Sequence, residues 1–85
     1  EASANGVVID LTGTELTLLE VLARKVGTPV PKDEIYQKVL GRTMQRYDRA
    51  IDVHVSSIRH KLAAVLGKSV AIESIRGVGY QFVVR

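Results

Sequence analysis

The 85-residue chain contains no cysteine, so neither a disulfide nor a thiolate-ligated metal can hold its fold together. No apolar run approaches the roughly 18 residues that a membrane-spanning helix needs, and nothing resembles a signal peptide. Aromatic residues make up only 5% of the chain. There is no internal repeat, low-complexity tract or linker to divide it. These absences leave one soluble module, expected in the cytoplasm. A chain this short buries only about 60% of its unfolded surface, so its core must be efficient. The 46% hydrophobic and 25% charged shares are those of a globular domain rather than a disordered segment.

What is present is unevenly placed. The net charge is +3, yet residues 1–41 carry four basic and six acidic side chains, a balance of −2. Residues 42–85 carry eight basic and three acidic side chains, a balance of +5. A segregated positive half points to an anionic partner, with nucleic acid ahead of a membrane surface.

Residues 7–11 read as a strand, preceded by the turn signal Asn5-Gly6 and a short partner at residues 2–4. Thr12 and Glu15 have capping-box spacing. Leu18, Leu19, Leu22, Ala23 and Val26 then recur on one face of a first helix. Gly27 is its expected stop, with Arg24 and Lys25 at the negative end of the helix dipole. Pro29 and Pro31 bracket a short connection. A second helix is expected over 32–40, with Asp33 and Glu34 in its first turn, Gly41 after it and no side-chain cap at Pro31. Residues 41–47 read as an exposed polar loop, with Arg42 and Arg46 facing solvent. Asp48 is the expected cap of a third helix that runs to Leu66 and stops at Gly67. Two β-rich runs, 70–75 and 80–84, flank Arg76-Gly77-Val78-Gly79 as a hairpin. The whole is α+β with a helical centre.

The third helix carries most of the functional information. Ile51, Val55, Ile58, Leu62 and Val65 form its core stripe. The opposite face gathers Arg49, Val53, Ser56 and His60, with Ser57 at its edge. Val53 lies about 160° from the core stripe. Small hydroxyl residues and an Arg flank it, with no bulky acid on that face, so the surface is slim and positive. Such a face suits a DNA major groove, where a valine can meet a thymine methyl and Arg or Ser can reach base edges and phosphates. Asp48 and Asp52 read better as a cap and as a partner to Arg59 through a third group than as paired catalytic carboxylates. Arg76 at the hairpin tip can enter a minor groove or meet a phosphate, and the Tyr80 hydroxyl can donate to one, although a half-buried strand Tyr is the commoner explanation. A helix followed by an Arg-tipped hairpin is the winged form of the helix-turn-helix.

Three runs carry a family resemblance: Leu11-Thr12-Gly13-Thr14-Glu15, the third-helix sequence from Asp48 to Leu62, and Ile75-Arg76-Gly77-Val78-Gly79-Tyr80. Together they resemble the OmpR/PhoB family of response regulators over nearly the whole chain, and within it the CpxR-type envelope-stress branch. The resemblance implies a winged helix-turn-helix effector domain spanning residues 1–85, without the family's receiver domain and with a truncated amino-terminal sheet. It implies double-stranded, direct-repeat DNA as ligand and a second protomer on that DNA. The family's sensor kinase would act on the receiver. Carried over to this chain, the family's DNA contacts fall on Arg49, Val53, His54, Arg59, Ser74, Arg76 and Tyr80. Ser56 and Ser57 stand where some relatives carry Arg. The loop with Arg42, Thr43, Met44, Gln45 and Arg46 corresponds to the segment that touches RNA polymerase.

Catalysis has little to stand on. Ser56 and Ser57 lack an activating base and a nucleophile elbow. His54 and His60 lie about 120° apart with no clustered carboxylate, so no metal or other cofactor is expected. Gly77-Val78-Gly79 leads into a strand and so is no dinucleotide fingerprint. The remaining alternative is a winged helix that binds protein or RNA.

Overall fold

The computed structural model describes residues 2–4 and 7–85, with side chains from Val8 onward. Strand β1 (Ala2–Ala4) pairs antiparallel with β2 (Val7–Ile9), placing Ala2 opposite Ile9. The Asn5-Gly6 turn signal lies outside the described residues.

Helix α1 (Gly13–Ala23) opens on the expected capping box. The Glu15 amide donates to Thr12 Oγ1 at 3.2 Å, and the Thr12 amide donates to Glu15 Oε1 at 2.9 Å. Leu18 and Leu22 are fully buried. The helix ends earlier than its apolar spacing predicts, with Arg24 as C-cap and a series of turns leading to Gly27 at φ +77°. Helical periodicity therefore stops inside the expected core face. Ala23 is exposed and Val26 is 49% exposed, which corrects both assignments.

The connection between the prolines contains a strand that the sequence reading does not predict, β3 (Val30–Pro31). It leads straight into α2 (Lys32–Ile35), which widens into a π-type turn, Tyr36–Leu40. Together these fill the expected span and end at Gly41 in the left-handed region. Pro31 gives no side-chain cap, as expected. The Lys32 amide is instead satisfied by the Val78 carbonyl at 3.0 Å, so the sheet does the work of a cap.

Helix α3 (Ala50–Leu66) buries Ile51, Val55, Ile58 and Leu62, with Val65 half-buried, and stops at Gly67. Strands β4 (Val70–Ile75) and β5 (Gly79–Val84) form the hairpin, and the three-stranded antiparallel sheet has the order β3-β5-β4. Gly79 sits where Val30 pairs with Tyr80 and Pro31 with Gly79 itself. A Cβ there would collide with the Val30 carbonyl oxygen and lie 2.8 Å from the Lys32 amide nitrogen. By its spacing this glycine is a turn residue, whereas its structural role is to let two backbones touch.

One core joins these parts. Ile9 and Leu11 from the amino end, Leu18 and Leu22 from α1, Ile35 and Tyr36 from α2, and Ile72 and Tyr80 from the hairpin close on the α3 stripe. Each fully buried large aliphatic contributes about 1.5–3 kcal/mol relative to exposure. The described residues thus form a winged helix, with three helices and a hairpin that stands beside α3.

Candidate nucleic-acid interface

The outward stripe of α3 matches its sequence pattern. Val53 is 64% exposed, and Arg49, Ser56 and His60 are exposed around it. None of these four is acidic. Among the described residues the side chains of Arg49, Ser56, His60 and Arg76 have no hydrogen-bond partner, so their donors are available to a ligand. Arg76 is exposed at the start of the tip turn, where Gly77 takes φ +76°. Beneath the tip is a depression of about 360 Å³, lined among others by Lys32, Ser74, Arg76 and Tyr80.

Other expected contact residues are engaged by neighbours, although Arg59 and Ser74 remain exposed. Arg59 donates from Nε and Nη2 to the Ile72 carbonyl at 2.9 and 2.6 Å, and from Nη2 to Ser74 Oγ at 3.0 Å. Its guanidinium lies 5.6 Å from the Tyr80 ring centroid. Tyr80 is 6% exposed and donates its hydroxyl proton to Asp52 Oδ1. The commoner of the two readings of Tyr80, a strand residue turned into the fold, matches its burial. Asp52 also pairs with Lys32 at 3.1 Å. Burial pushes the Asp52 carboxyl up, but the Tyr80 and Lys32 contacts outweigh it and hold the group below its usual value. Burial, and then Asp52, push the Tyr80 phenol up to about 12, so it remains a protonated donor. The third group expected between Asp52 and Arg59 is therefore Tyr80, which hydrogen-bonds one and stacks beneath the other.

The opposite flank of α3 faces α1. Glu15 is 3% exposed and receives Lys61 Nζ at 2.7 Å. Burial raises its carboxyl, yet hydrogen bonds from Lys61, Ser57 and Thr12 prevail and bring it down to about 2. Ser57, at the edge of the stripe, and His54 are both half-buried. Thr12 and Glu15 were legible as a cap. The Lys61 partner was not, because nothing in the spacing of residues 46 apart announces the contact.

The loop before α3 is more ordered than its polar composition suggests. Asp48 does not occupy the N-cap position, which falls to Arg49 without a side-chain bond. One position earlier, Asp48 still serves the helix: Oδ1 accepts from the Ala50 amide at 3.1 Å. Its Oδ2 accepts from the Gln45 amide at 3.2 Å and from Arg42 Nη1 at 2.5 Å. These partners, Arg42 first, hold the carboxyl well below the usual range. Arg42 is exposed as expected, and also lies 5.5 Å from the Tyr36 ring centroid. Met44 packs against the core, while Thr43, Gln45 and Arg46 are exposed. Tyr47 is 83% exposed at φ +61°, with Arg46 stacked on its ring.

No group of three or more metal-ligating side chains occurs among the described residues. No helix among them is long and apolar enough to cross a membrane.

Comparison with known proteins places this geometry. Residues 6–82 match the family described as "Transcriptional regulatory protein, C terminal". The chain is 42% identical over 83 residues to the transcriptional regulatory protein CpxR of Escherichia coli, covering 98% of this chain and 36% of that protein. It is 40% identical over 78 residues to the transcriptional activator protein PfeR of Pseudomonas aeruginosa, covering 92% and 26%. The crystal structure of the DNA-binding domain of E. coli CpxR superposes with a TM-score of 0.87 at 39% identity, covering 96% of this chain and 80% of that one. The Klebsiella pneumoniae RstA DNA-binding domain, solved in complex with the RstA box, superposes at 0.77 with 28% identity, covering 88% and 74%. The chain spans only about a third of the length of the CpxR proteins it matches. With its winged-helix geometry and a match over most of its residues, the chain belongs to the OmpR/PhoB-type family of transcriptional regulatory C-terminal domains.

Proposed function

We propose that this chain binds duplex DNA sequence-specifically, as the effector domain of a two-component response regulator. The observation that carries the reading is the open stripe of Arg49, Val53, Ser56 and His60 on α3, standing beside an exposed Arg76 on the wing. A helix of this profile fits a major groove, and a glycine-supported Arg tip fits the adjacent minor groove. The RstA domain, similar in fold and solved on its own DNA box, supports DNA binding here.

The direct contacts proposed are Arg49, Val53, Ser56, His60 and Arg76, with His54 at the margin. Arg59, Ser74 and Tyr80 belong to the scaffold of the same surface, and Ser57 to the α1 flank. The loop from Arg42 to Arg46 is the proposed RNA polymerase contact, and a second protomer on a direct repeat is the proposed partner on DNA. A sensor kinase would act through a receiver domain outside these residues. The chemistry is recognition rather than catalysis.

Selection of bound duplexes from a random pool tests the reading. Arg76→Ala should weaken binding to selected and unrelated DNA alike and lower the salt slope by about one unit. Val53→Ala should chiefly change which bases are selected. Binding that is indifferent to both changes, or a preference for single-stranded RNA over duplex DNA, would overturn it.

A further inference from the structure

Four side chains from three elements meet on the wing side of α3. Asp52 accepts the Tyr80 hydroxyl and pairs with Lys32 at 3.1 Å. Lys32 Nζ and the Arg59 guanidinium lie 5.8 and 5.6 Å from the Tyr80 ring centroid. Arg59 in turn holds the Ile72 carbonyl and Ser74 Oγ of β4. Asp52 and Arg59 lie on one helix about two turns apart. They grip the wing at two points, β5 through Tyr80 and β4 through Ile72 and Ser74. Two attachment points fix an angle where one would leave a hinge.

That angle matters because the two reading elements sit on different bodies. Val53 rides on α3, whereas Arg76 rides at the far end of the hairpin. Resting on the DNA-binding reading above, we propose that Asp52, Tyr80 and Arg59 are positioning residues for DNA recognition. They set the direction in which the wing leaves α3, and so the distance along the duplex between the base pairs met by Val53 and the minor groove met by Arg76. Tyr80 is the centre of the device: its ring stacks with both cations, and its hydroxyl is the link to the only carboxylate in the cluster. Asp52 also offsets the charge of Lys32 and Arg59, two cations that would otherwise repel across the ring.

Coupling between variants separates positioning from mere stability. In the 85-residue chain, Arg76→Ala should weaken binding to a selected duplex about tenfold. In a Tyr80→Phe background, which keeps the ring and loses the hydroxyl, the same change should cost less than about threefold, because the tip no longer reaches its groove. Val53→Ala should cost the same in both backgrounds. Hydroxyl-radical cleavage of the bound duplex should show minor-groove protection lost in Tyr80→Phe while protection under α3 remains. Asp52→Asn, measured in parallel, should give the same pattern and stands in if Tyr80→Phe does not fold. If Arg76→Ala costs the same in both backgrounds, or if Tyr80→Phe weakens the Val53 and Arg76 contributions equally, the positioning role is wrong. If the unmodified chain fails to bind any selected duplex, the DNA reading fails first and takes this inference with it.

Discussion

The two flanks of α3 solve the same problem in different ways. Each ties the helix to a neighbour through a carboxylate that receives a lysine, Glu15 to Lys61 on the α1 side and Asp52 to Lys32 on the wing side. On the α1 side the carboxylate is nearly enclosed and also closes a capping box, so one group secures both a helix end and a helix pair. On the wing side the carboxylate is more open and shared with a tyrosine whose ring touches two cations. The first flank is a foundation whose loss is read in stability. The second is a joint whose loss is read in where the wing points. A helix that must both anchor a core and present a surface can divide those tasks between its edges.

The largest expected effect strikes the seam that carries the wing. Gly79→Ala forces a methyl group into the Val30 carbonyl, so β3 and β5 must separate. The expected cost is about 3 kcal/mol in denaturant unfolding, with the wing contributing nothing to binding in whatever folded protein remains. Full stability in this variant would show that the strands are less closely joined than the geometry requires.

Next comes the α1 flank. Glu15→Gln keeps the shape but removes the charge facing Lys61, and should cost about 2 kcal/mol at neutral pH. The native carboxyl sits at about 2 against an ordinary 4.5, so its stabilisation is complete above the higher value and lost as pH falls toward the lower. The stability difference between the native chain and Glu15→Gln should therefore shrink between about pH 5 and pH 2. A difference independent of pH would mean that shape rather than charge holds this flank.

Thr12→Ala sharpens the same point with a smaller change. It removes one side-chain acceptor from the cap and leaves the Glu15–Lys61 pair in place. The expected loss is about 1 kcal/mol, read by thermal unfolding.

Local rules account well for what the sequence disclosed. The capping box, the α3 core stripe, the hairpin and the exposure of Val53 all follow from neighbours within a few turns or a few strand residues. What stayed hidden depends on distant partners. Strand β3 consists of Val30 and Pro31 alone, too short for any alternation pattern, and exists only because β5 lies against it. Gly79 carries a turn-like signature, and its close approach to Val30 cannot be read from either residue. Val26 continues an apolar rhythm beyond the point where the helix has ended. Tyr80 reads as a half-buried strand residue with a polar handle, and the partner of that handle is on another element. Asp48 showed its helix-start character and concealed that it sits one position outside the cap.

Tyr36 adds a consequence for the loop at 41–47. Its fully buried hydroxyl donates to the Asp48 carbonyl at 3.3 Å and accepts from the Ile51 amide at 3.4 Å, spanning the loop's exit and the first turn of α3. Gly41 fixes the other end, with its amide bonded to the Gln37 carbonyl at 3.0 Å. The loop is thus bolted at both ends, and Arg42 adds a further tie to Asp48 at the start of α3. The side chains of Thr43, Gln45 and Arg46 take no part in that anchorage, so changing them should leave α3 unmoved.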